Sequence, residues 1–330
     1  MFGGGQRVKL FILQNGYGTY DCERTLNVAL RYKDLYPEDI EVITNISPGP
    51  AYHSIRSLLE SETFKDIKYI IKLDDDVFPL SPNWLDDLCS CYIESFNKYK
   101  NNLAYVTGLV NNNPYGFKKT LEIMDLKDLY FSKYARVHLS GFASEPSTPV
   151  TITPKDTIST NAGGTIWRYA YIARFIHQQT TLKPQKFIDA TKNLGSERIN
   201  ENERYSINCM LFEKEFWTAF NPNNIPDDEA SCHHYCRDNH MAIVAALNVP
   251  LVHLFFYVQR FENKDLVESI RNLYTNWLNL PFKIALCEDK ERENEERLRY
   301  LEKRIHSINS HLLLQRLKLI EKKIKYFLKK

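Results

Sequence analysis

Short apolar runs that alternate with helical stretches constrain the fold of this chain most strongly. The runs "VKLFILQNG" (Val8 to Gly16) and "IEVITNISPGP" (Ile40 to Pro50) each end in turn residues, which is typical of buried strands that stop at loops. Between them, Cys22 to Tyr36 carries apolar residues at helical spacing and is followed by Pro37. The alternation continues with predicted helices at Tyr52 to Glu60 and Pro82 to Tyr99, and with strands at Tyr69 to Leu73 and Leu103 to Leu109. This order predicts an α/β fold with a mostly parallel sheet and flanking helices.

The second half of the chain is less regular. Residues from Val110 to Tyr205 are rich in polar loop residues, with helices predicted near Tyr169 to Gln178 and Pro184 to Asn193. A regular pattern of apolar residues resumes at Asn208 to Phe220. A helix is then predicted from Ala230 to Leu247, followed by a strand from Pro250 to Val258.

Composition excludes some classes of protein. The chain has 330 residues, 43% of them apolar, which is enough to bury the core of one large domain or two smaller ones. Its 43 Lys and Arg nearly cancel its 41 Asp and Glu, so we expect no nucleic-acid partner. The first residues lack the basic start and apolar core of a signal peptide, and the seven scattered cysteines favour reduced thiols. Both features predict a cytoplasmic protein.

Three consecutive aspartates, Asp74, Asp75 and Asp76, directly follow a predicted buried strand. Like charges this close repel one another, and removing them from water is costly, so a positive group is expected beside them. On an extended backbone, Asp74 and Asp76 would point the same way and could share a divalent cation. Oxygen ligands suit Mg²⁺ or Mn²⁺, which commonly bridge carboxylates to phosphates. The alternative is that the aspartates merely cap the helix after Pro82.

The stretch "YIIKLDDDVFPLSPNW" resembles the strand and Asp-x-Asp motif of GT-A fold, nucleotide-sugar-dependent glycosyltransferases, especially those of family 2. Three further stretches agree in order. "LFILQNGYGTYD" resembles the first strand and donor loop, "MLFEKEFWTAFNPNNIPDDEASCHHYCR" resembles the stretch ending in an acidic catalytic motif, and "VPLVHLFFY" resembles a late strand that supplies a metal-binding His. One departure is that the second predicted strand closes with Thr44 to Ser47, where family 2 members usually have an Asp-rich turn.

The resemblance implies a GT-A, Rossmann-like fold with a mixed, mostly parallel sheet and flanking helices. It implies a catalytic domain over residues 1–286, in which residues 8–109 bind the nucleotide sugar and residues 110–286 carry the acceptor site and catalysis. Residues 287–330 are predicted to form an amphipathic helical extension.

The resemblance also implies the site residues. The general base would be Asp228, with Asp227 and Glu229 beside it. The expected ligands of Mn²⁺ or Mg²⁺ are Asp74, Asp76 and His253. The residues expected to bind the donor are Gln14, Asn15, Gly16, Tyr17, Asn45, Arg56, Asp74 and Asp75. Arg56 is chosen on its charge, because Arg56 or Lys72 could pair with a diphosphate or simply with the carboxylates, and Arg56 is preferred. The implied reaction is metal-dependent, inverting transfer of a sugar, in polysaccharide biosynthesis, from a nucleoside-diphosphate sugar, with a UDP-sugar favoured, to a glycan or lipid-linked saccharide.

Several alternatives stay open on the residues alone. The acidic stretch at Asp227 to Glu229 is also a typical helix N-terminus, and a lone His253 in an apolar strand is often a hydrogen-bonded core residue. Cys232, Cys236 and His240 have helical spacing, but no second cysteine pair stands at zinc spacing, so zinc is not expected. The competing functions are a two-metal phosphoryl-transfer hydrolase and an inactive helical scaffold.

The C-terminal extension divides by charge. Glu288 to Leu312 has mixed charges and apolar residues at steps of three and four, which favours a homodimer through a coiled coil. Arg316 to Lys330 carries seven Lys or Arg residues against one acid, Glu321, along an apolar stripe. That pattern predicts peripheral contact with the inner face of an anionic membrane.

Overall fold

The computed structural model describes residues 8–14, 20–44, 51–134, 170–200, 205, 207–220, 228–254 and 263–277. In these residues the strands are β1 Leu10–Leu13, β2 Ile40–Ile43, β3 Tyr69–Leu73, β4 Val77–Pro79, β5 Leu103–Val110, β6 Ser196–Arg198, β7 Cys209–Glu213 and β8 Ala242–His253. The helices are α1 Tyr20–Leu35, α2 Ala51–Leu59, α3 Trp84–Tyr99, α4 Pro114–Ile123, α5 Lys127–Tyr134, α6 Ala170–Gln179, α7 Pro184–Thr191, α8 Lys214–Ala219, α9 Asp228–Asp238 and α10 Lys264–Trp277.

The strands form two sheets of different size. The small sheet pairs β1 with β2 in parallel. The large sheet has six strands in the order β3-β7-β5-β8-β4, with β6 also paired to β8. The prediction of an α/β fold with flanking helices is confirmed.

The prediction of a mostly parallel sheet is wrong. In the large sheet, only β5 and β8 pair in parallel. Strand β7 lies antiparallel between β3 and β5, and β4 and β6 are both antiparallel to β8. The alternation of strands and helices predicts the parallel pairs but carries no signal for the reversed strand β7 inserted between two of them.

The pairing directions bring three strand ends together. Strands β3 and β5 are both antiparallel to β7 and therefore parallel to each other, and β8 runs with them. Their C-terminal ends, with the start of β7, form one edge of the large sheet, called here the carboxyl edge. Residues at this edge are the natural candidates for a ligand site.

An irregularity in β8 sets the position of its end. Gly108 of β5 pairs with Ala246, but the next residue, Leu109, pairs with Pro250, so β8 bulges over residues 247–249. A Cβ atom on Gly108 would lie 2.6 Å from the backbone oxygen of Val249. Glycine at residue 108 therefore allows the bulge to approach β5 closely.

The prediction of one helix from Ala230 to Leu247 is also wrong. Helix α9 ends at Asp238, because His240 adopts a left-handed conformation with φ 54°. The N–H of His240 donates to the Arg237 carbonyl at 3.1 Å, and the N–H of Met241 donates to the Cys236 carbonyl at 2.8 Å, which is a Schellman motif. The apolar residues that follow belong to β8, since a short apolar run fits a buried strand as well as a helix.

Two further predictions have different outcomes. Helices α6 and α7 confirm those predicted near Tyr169 to Gln178 and Pro184 to Asn193, whereas α4 and α5 were missed in a region interpreted as loops. The extension over residues 287–330 lies outside the described residues. Among the described helices, none combines the length and the apolar character that crossing a membrane requires.

Candidate active site

The three aspartates lie in a tight turn that crosses the carboxyl edge from β3 to β8. The N–H of Val77 donates to the carbonyl of Asp74 at 3.1 Å, and β4 then pairs with the end of β8. The prediction of an extended backbone through Asp74 and Asp76 is therefore wrong, because the chain must leave β3 to reach β8. The aspartates do lie at a strand end of the carboxyl edge, as expected.

Asp74 is held by two neighbours. Its Oδ1 pairs with the Lys72 ammonium, and its Oδ2 accepts a hydrogen bond from Asn208 Nδ2 at 3.0 Å. The Lys72 side chain is only 9% exposed and also donates to the Ile207 carbonyl at 2.7 Å. Lys72 is therefore the positive group expected beside the aspartates, and both carboxylate oxygens of the partly exposed Asp74 are already engaged.

Asp75 and Asp76 differ in their pKa. Burial raises the pKa of Asp75, and the charges of Asp76 and Asp74 raise it further. Burial also raises the pKa of Asp76, but its contact with His253, a backbone hydrogen bond and the nearby charge of Lys72 together outweigh this effect and lower it. Asp76 is therefore the more acidic of these two carboxyls.

Asp76 and His253 face each other across the edge. The distance between Asp76 Oδ2 and His253 Nε2 is 3.3 Å, with the Asp76 side chain 35% exposed and that of His253 6% exposed. The backbone also joins these segments, since the N–H of Leu254 donates to the Asp76 carbonyl at 2.6 Å. The structure thus brings together two of the three predicted metal ligands.

The geometry of this pair fits a divalent cation. Two neighbouring ligands of an octahedral ion, each about 2.1 Å from it, stand about 3 Å apart. A charge-assisted hydrogen bond between nitrogen and carboxylate is usually about 2.7–2.9 Å. The observed 3.3 Å is longer than that hydrogen bond and close to the separation of two ligands. Within the described part of the chain, no group of three His, Cys, Asp or Glu side chains could hold a metal, so a cation here needs further ligands.

The second acidic stretch begins helix α9. Asp228 and Glu229 lie in its first turn, and the N–H of Glu229 donates to Asp228 Oδ1 at 2.9 Å. This contact agrees with the helix N-terminus interpretation, which is compatible with a role as a base. Asp227 lies outside the described residues.

Helix α9 packs on the large sheet. Cys232 and Cys236 are fully buried in the core. Burial raises the pKa of Tyr105 on β5, and the neighbouring Cys232, Cys236 and Glu229 add to this effect. The C-terminal end of α9 is joined to the start of β8 by a short turn. Tyr105 lies near the amino end of β5, opposite Ile243 of β8. The structure therefore places the body of α9 on the core of the large sheet, and the position of Asp228 at the carboxyl edge stays a prediction.

The predicted donor-binding residues fall into two groups. Gln14 is buried at the end of β1, where its N–H donates to the Ile43 carbonyl at 3.0 Å. Arg56 lies on α2 and donates to Glu60 Oε1 at 2.9 Å and to the Tyr52 hydroxyl at 3.3 Å. A phosphate would have to compete with these partners for Arg56. The remaining residues, Asn15, Gly16, Tyr17 and Asn45, lie outside the described residues.

Sequence reasoning missed the amides of the site. Asn111 and Asn112 directly follow β5, and both are fully buried at the carboxyl edge, where they contact His253. Asn208, which contacts Asp74, precedes β7. The signal was present in the run "LAYVTGLVNNN", since amides directly behind a wholly apolar strand must find hydrogen-bond partners when buried.

The zinc interpretation finds no support in the position of its residues. Cys232 and Cys236 are buried, whereas His240 is exposed in the turn after α9.

Comparison with protein-family models finds no match to this chain, and neither the curated proteins nor the solved structures give one.

Proposed function

We propose that this chain is a GT-A type glycosyltransferase that transfers a sugar from a nucleoside-diphosphate sugar in a cation-dependent reaction. The observation that carries the proposal is the pair of Asp76 and His253, 3.3 Å apart at the carboxyl edge. A carboxylate and an imidazole leave the other positions of a cation for water and for substrate phosphates. This incomplete ligand set is what a cation shared with a diphosphate requires.

The ligand types favour Mn²⁺ over Mg²⁺. Mg²⁺ prefers oxygen ligands, whereas a first-row transition ion accepts the imidazole nitrogen of His253 as well as carboxylate and phosphate oxygens. A bound cation would neutralise the charge that develops on the leaving diphosphate. Lys72 limits the repulsion between Asp74 and the rest of the turn, so that Asp76 can stay ionised.

The acceptor hydroxyl needs a base. Asp228 is the proposed base, because it begins a helix that packs on the same sheet and because a single carboxylate acting without a covalent intermediate gives inversion at the sugar carbon. Glu229 lies beside it, and two neighbouring carboxylates tend to raise each other's pKa. A UDP-sugar is the favoured donor, and a glycan or lipid-linked saccharide is the favoured acceptor.

The competing hydrolase is less well supported. A two-metal site requires several carboxylates that converge within about 4 Å of one another. Asp74 is instead engaged by Lys72 and Asn208. The described residues therefore favour one cation, at Asp76 and His253.

The C-terminal extension is proposed to bring the enzyme to its acceptor. Residues Arg316 to Lys330 carry seven basic residues against one acid, and such a segment is attracted to anionic headgroups. Truncation before Arg316 should weaken co-sedimentation with anionic liposomes at low salt and leave the oligomeric state unchanged. Equal liposome binding by the truncated chain would remove the membrane from the proposal.

The test of the proposed activity is a thermal-shift panel. UDP-, GDP- and CMP-sugars are added with and without Mn²⁺, and a ligand at about 100 times its Kd stabilises the fold by about 2.7 kcal/mol. We expect one nucleotide sugar to raise the Tm only when Mn²⁺ is present, and Asp76→Ala to abolish that increase. Asp66→Ala, an exposed aspartate before β3, is the matched control and should behave like wild type. Stabilisation that does not depend on Mn²⁺, or none by any nucleotide sugar, would contradict the proposal.

A further inference from the structure

Two buried asparagines hold His253 at three points. The side chain of Asn112 donates from Nδ2 to the His253 carbonyl at 2.7 Å, and its Oδ1 lies 2.9 Å from His253 Nδ1. The Oδ1 of Asn111 accepts the His253 backbone N–H at 3.1 Å. Both asparagines have no exposed surface. The backbone and the ring of His253 are therefore fixed by the end of the neighbouring strand β5.

The hydrogen bonds determine which ring nitrogen carries the proton. Because Asn112 Nδ2 donates to the His253 carbonyl, its Oδ1 is the acceptor that faces the ring. The ring must then donate from Nδ1. In a neutral imidazole, Nε2 is consequently unprotonated, and its electron pair points at Asp76 Oδ2, 3.3 Å away.

An electron pair that faces a carboxylate is unfavourable unless a positive charge lies between them. A proton on Nε2 or a metal ion satisfies this arrangement, and metal-ligating histidines commonly donate their other ring N–H to a neighbouring acceptor. The side chains next to the asparagines are uncharged. Asn111 Nδ2 donates to Thr180 Oγ1 at 2.9 Å. The next residue, Thr181, has its Oγ1 2.7 Å from His177 Nδ1. Burial lowers the pKa of His177 to about 3.

We propose that Asn111 and Asn112 are positioning residues that fix His253 as the Nδ1–H tautomer and direct Nε2 at Asp76 as a cation ligand. The role as a ligand rests on the proposed function, whereas the tautomer does not. The asparagines touch neither the cation nor the substrate in this scheme; they act through the imidazole.

The tautomer can be measured in the wild-type protein without metal. The chain contains nine histidines, so selective ¹⁵N-histidine labelling with a His253→Gln variant identifies the signal of residue 253. We expect the two-bond ¹H–¹⁵N pattern to show a proton on Nδ1, because Asn112 Oδ1 faces that nitrogen as an acceptor. A ring protonated at Nε2 but not at Nδ1 would overturn the inference whether or not Mn²⁺ binds.

Variants of Asn112 test its effect on the cation. Asn112→Leu has similar volume but lacks the acceptor, and we expect the Kd for Mn²⁺, measured by electron paramagnetic resonance, to rise about 10–100-fold. Asn112→Asp keeps an acceptor for Nδ1–H but loses the donor to the His253 carbonyl. It should retain the tautomer and bind Mn²⁺ more tightly than Asn112→Leu.

Asn113 provides the matched control. It is equally buried, but its Oδ1 accepts the Gly116 N–H at 2.6 Å and so caps α4. Asn113→Ala should lower the Tm and leave Mn²⁺ affinity unchanged. An Asn112→Leu variant that binds Mn²⁺ as wild type does, or an Asn113→Ala variant that loses affinity equally, would overturn the positioning role. Failure of the wild-type protein to bind Mn²⁺ would instead contradict the proposed function, and the NMR result would then decide the tautomer separately.

Discussion

The two sheets treat their polar side chains differently. At the carboxyl edge of the large sheet, His253 is 5% exposed and is held by two fully buried asparagines. In the small sheet, the polar contacts are ion pairs of partly exposed side chains, with Lys33 2.6 Å and Lys9 3.6 Å from Glu41. The apolar residues follow the same division, because β5 is buried throughout whereas Leu10 of β1 is 48% exposed.

This difference indicates which side chains need precisely fixed positions. A side chain that binds a cation must be held within a fraction of an ångström, which requires packing and several hydrogen bonds. Exposed ion pairs contribute little free energy and fix geometry weakly. We therefore expect the catalytic geometry to depend on the large sheet, while the small sheet tolerates substitution.

The strongest test of this comparison is Asp76→Ala. Loss of a cation ligand should remove about 4 kcal/mol of transition-state stabilisation, which is roughly a thousandfold in kcat/KM. The free energy of unfolding should change by less than about 1 kcal/mol, because the carboxylate is partly exposed. Release of nucleotide from the donor, with urea denaturation in parallel, measures both effects. Full activity would show that the cation site lies elsewhere.

The next largest effect is expected for Asp228→Asn, which tests whether α9 belongs to the same site. Removal of a general base typically lowers kcat by about a hundredfold or more, with little change in donor affinity. Steady-state kinetics would separate kcat from KM. A raised KM with unchanged kcat would make Asp228 a binding residue instead.

Gly108→Ala tests whether the bulge in β8 sets the position of His253. The new Cβ would lie 2.6 Å from the Val249 carbonyl and 2.7 Å from Leu251 Cδ1, so β8 must shift. We expect a loss of about 1–3 kcal/mol in the free energy of unfolding. Weaker Mn²⁺ binding should accompany it. Unchanged stability would mean that the bulge moves without cost.

His240→Gly examines the turn between α9 and β8, at the amino end of β8 and away from His253. His240 has φ 54°, a conformation that glycine adopts without the penalty of a side chain. The variant should gain about 0.5–1 kcal/mol in the free energy of unfolding, with Mn²⁺ affinity unchanged. A destabilised variant would indicate that the imidazole makes a favourable contact of its own.

The smallest effect is expected in the small sheet. Glu41 is paired with Lys33 and Lys9, and these pairs lower its pKa, but the carboxylate is accessible to solvent. Glu41→Gln should leave the Tm and the Mn²⁺ affinity of the protein unchanged within error. A clear drop in either would show that the small sheet is held more tightly than its exposure indicates.

Local sequence patterns predicted some features and not others. The helical spacing before Pro37 predicted α1, and the apolar run behind Asn102 predicted β5. The direction of β7 was not predictable in this way, because strand direction depends on partners distant in sequence. The end of α9 was missed because a left-handed His240, unlike a glycine, gives no signal for a helix end.

The site shows the same division. The aspartate triplet behind β3 and the lone His253 in an apolar strand were recognisable, because charged or polar groups there need an explanation. The sequence did not show that the aspartates of the triplet have different partners. Only the tertiary structure shows that Asp74 is engaged by Lys72 and Asn208 while Asp76 faces His253.

The hydrogen bonds from Asn111 and Asn112 to His253 have a thermodynamic consequence. A free imidazole on the surface would lose the freedom of its two side-chain torsions on binding a cation, and this loss opposes binding. Here one hydrogen bond holds the ring and two hold the backbone of His253, and all three are made with neutral amides, which neither titrate nor respond to salt. The cost of ordering the ligand is met during folding, so the cation should bind with little entropic penalty from the protein.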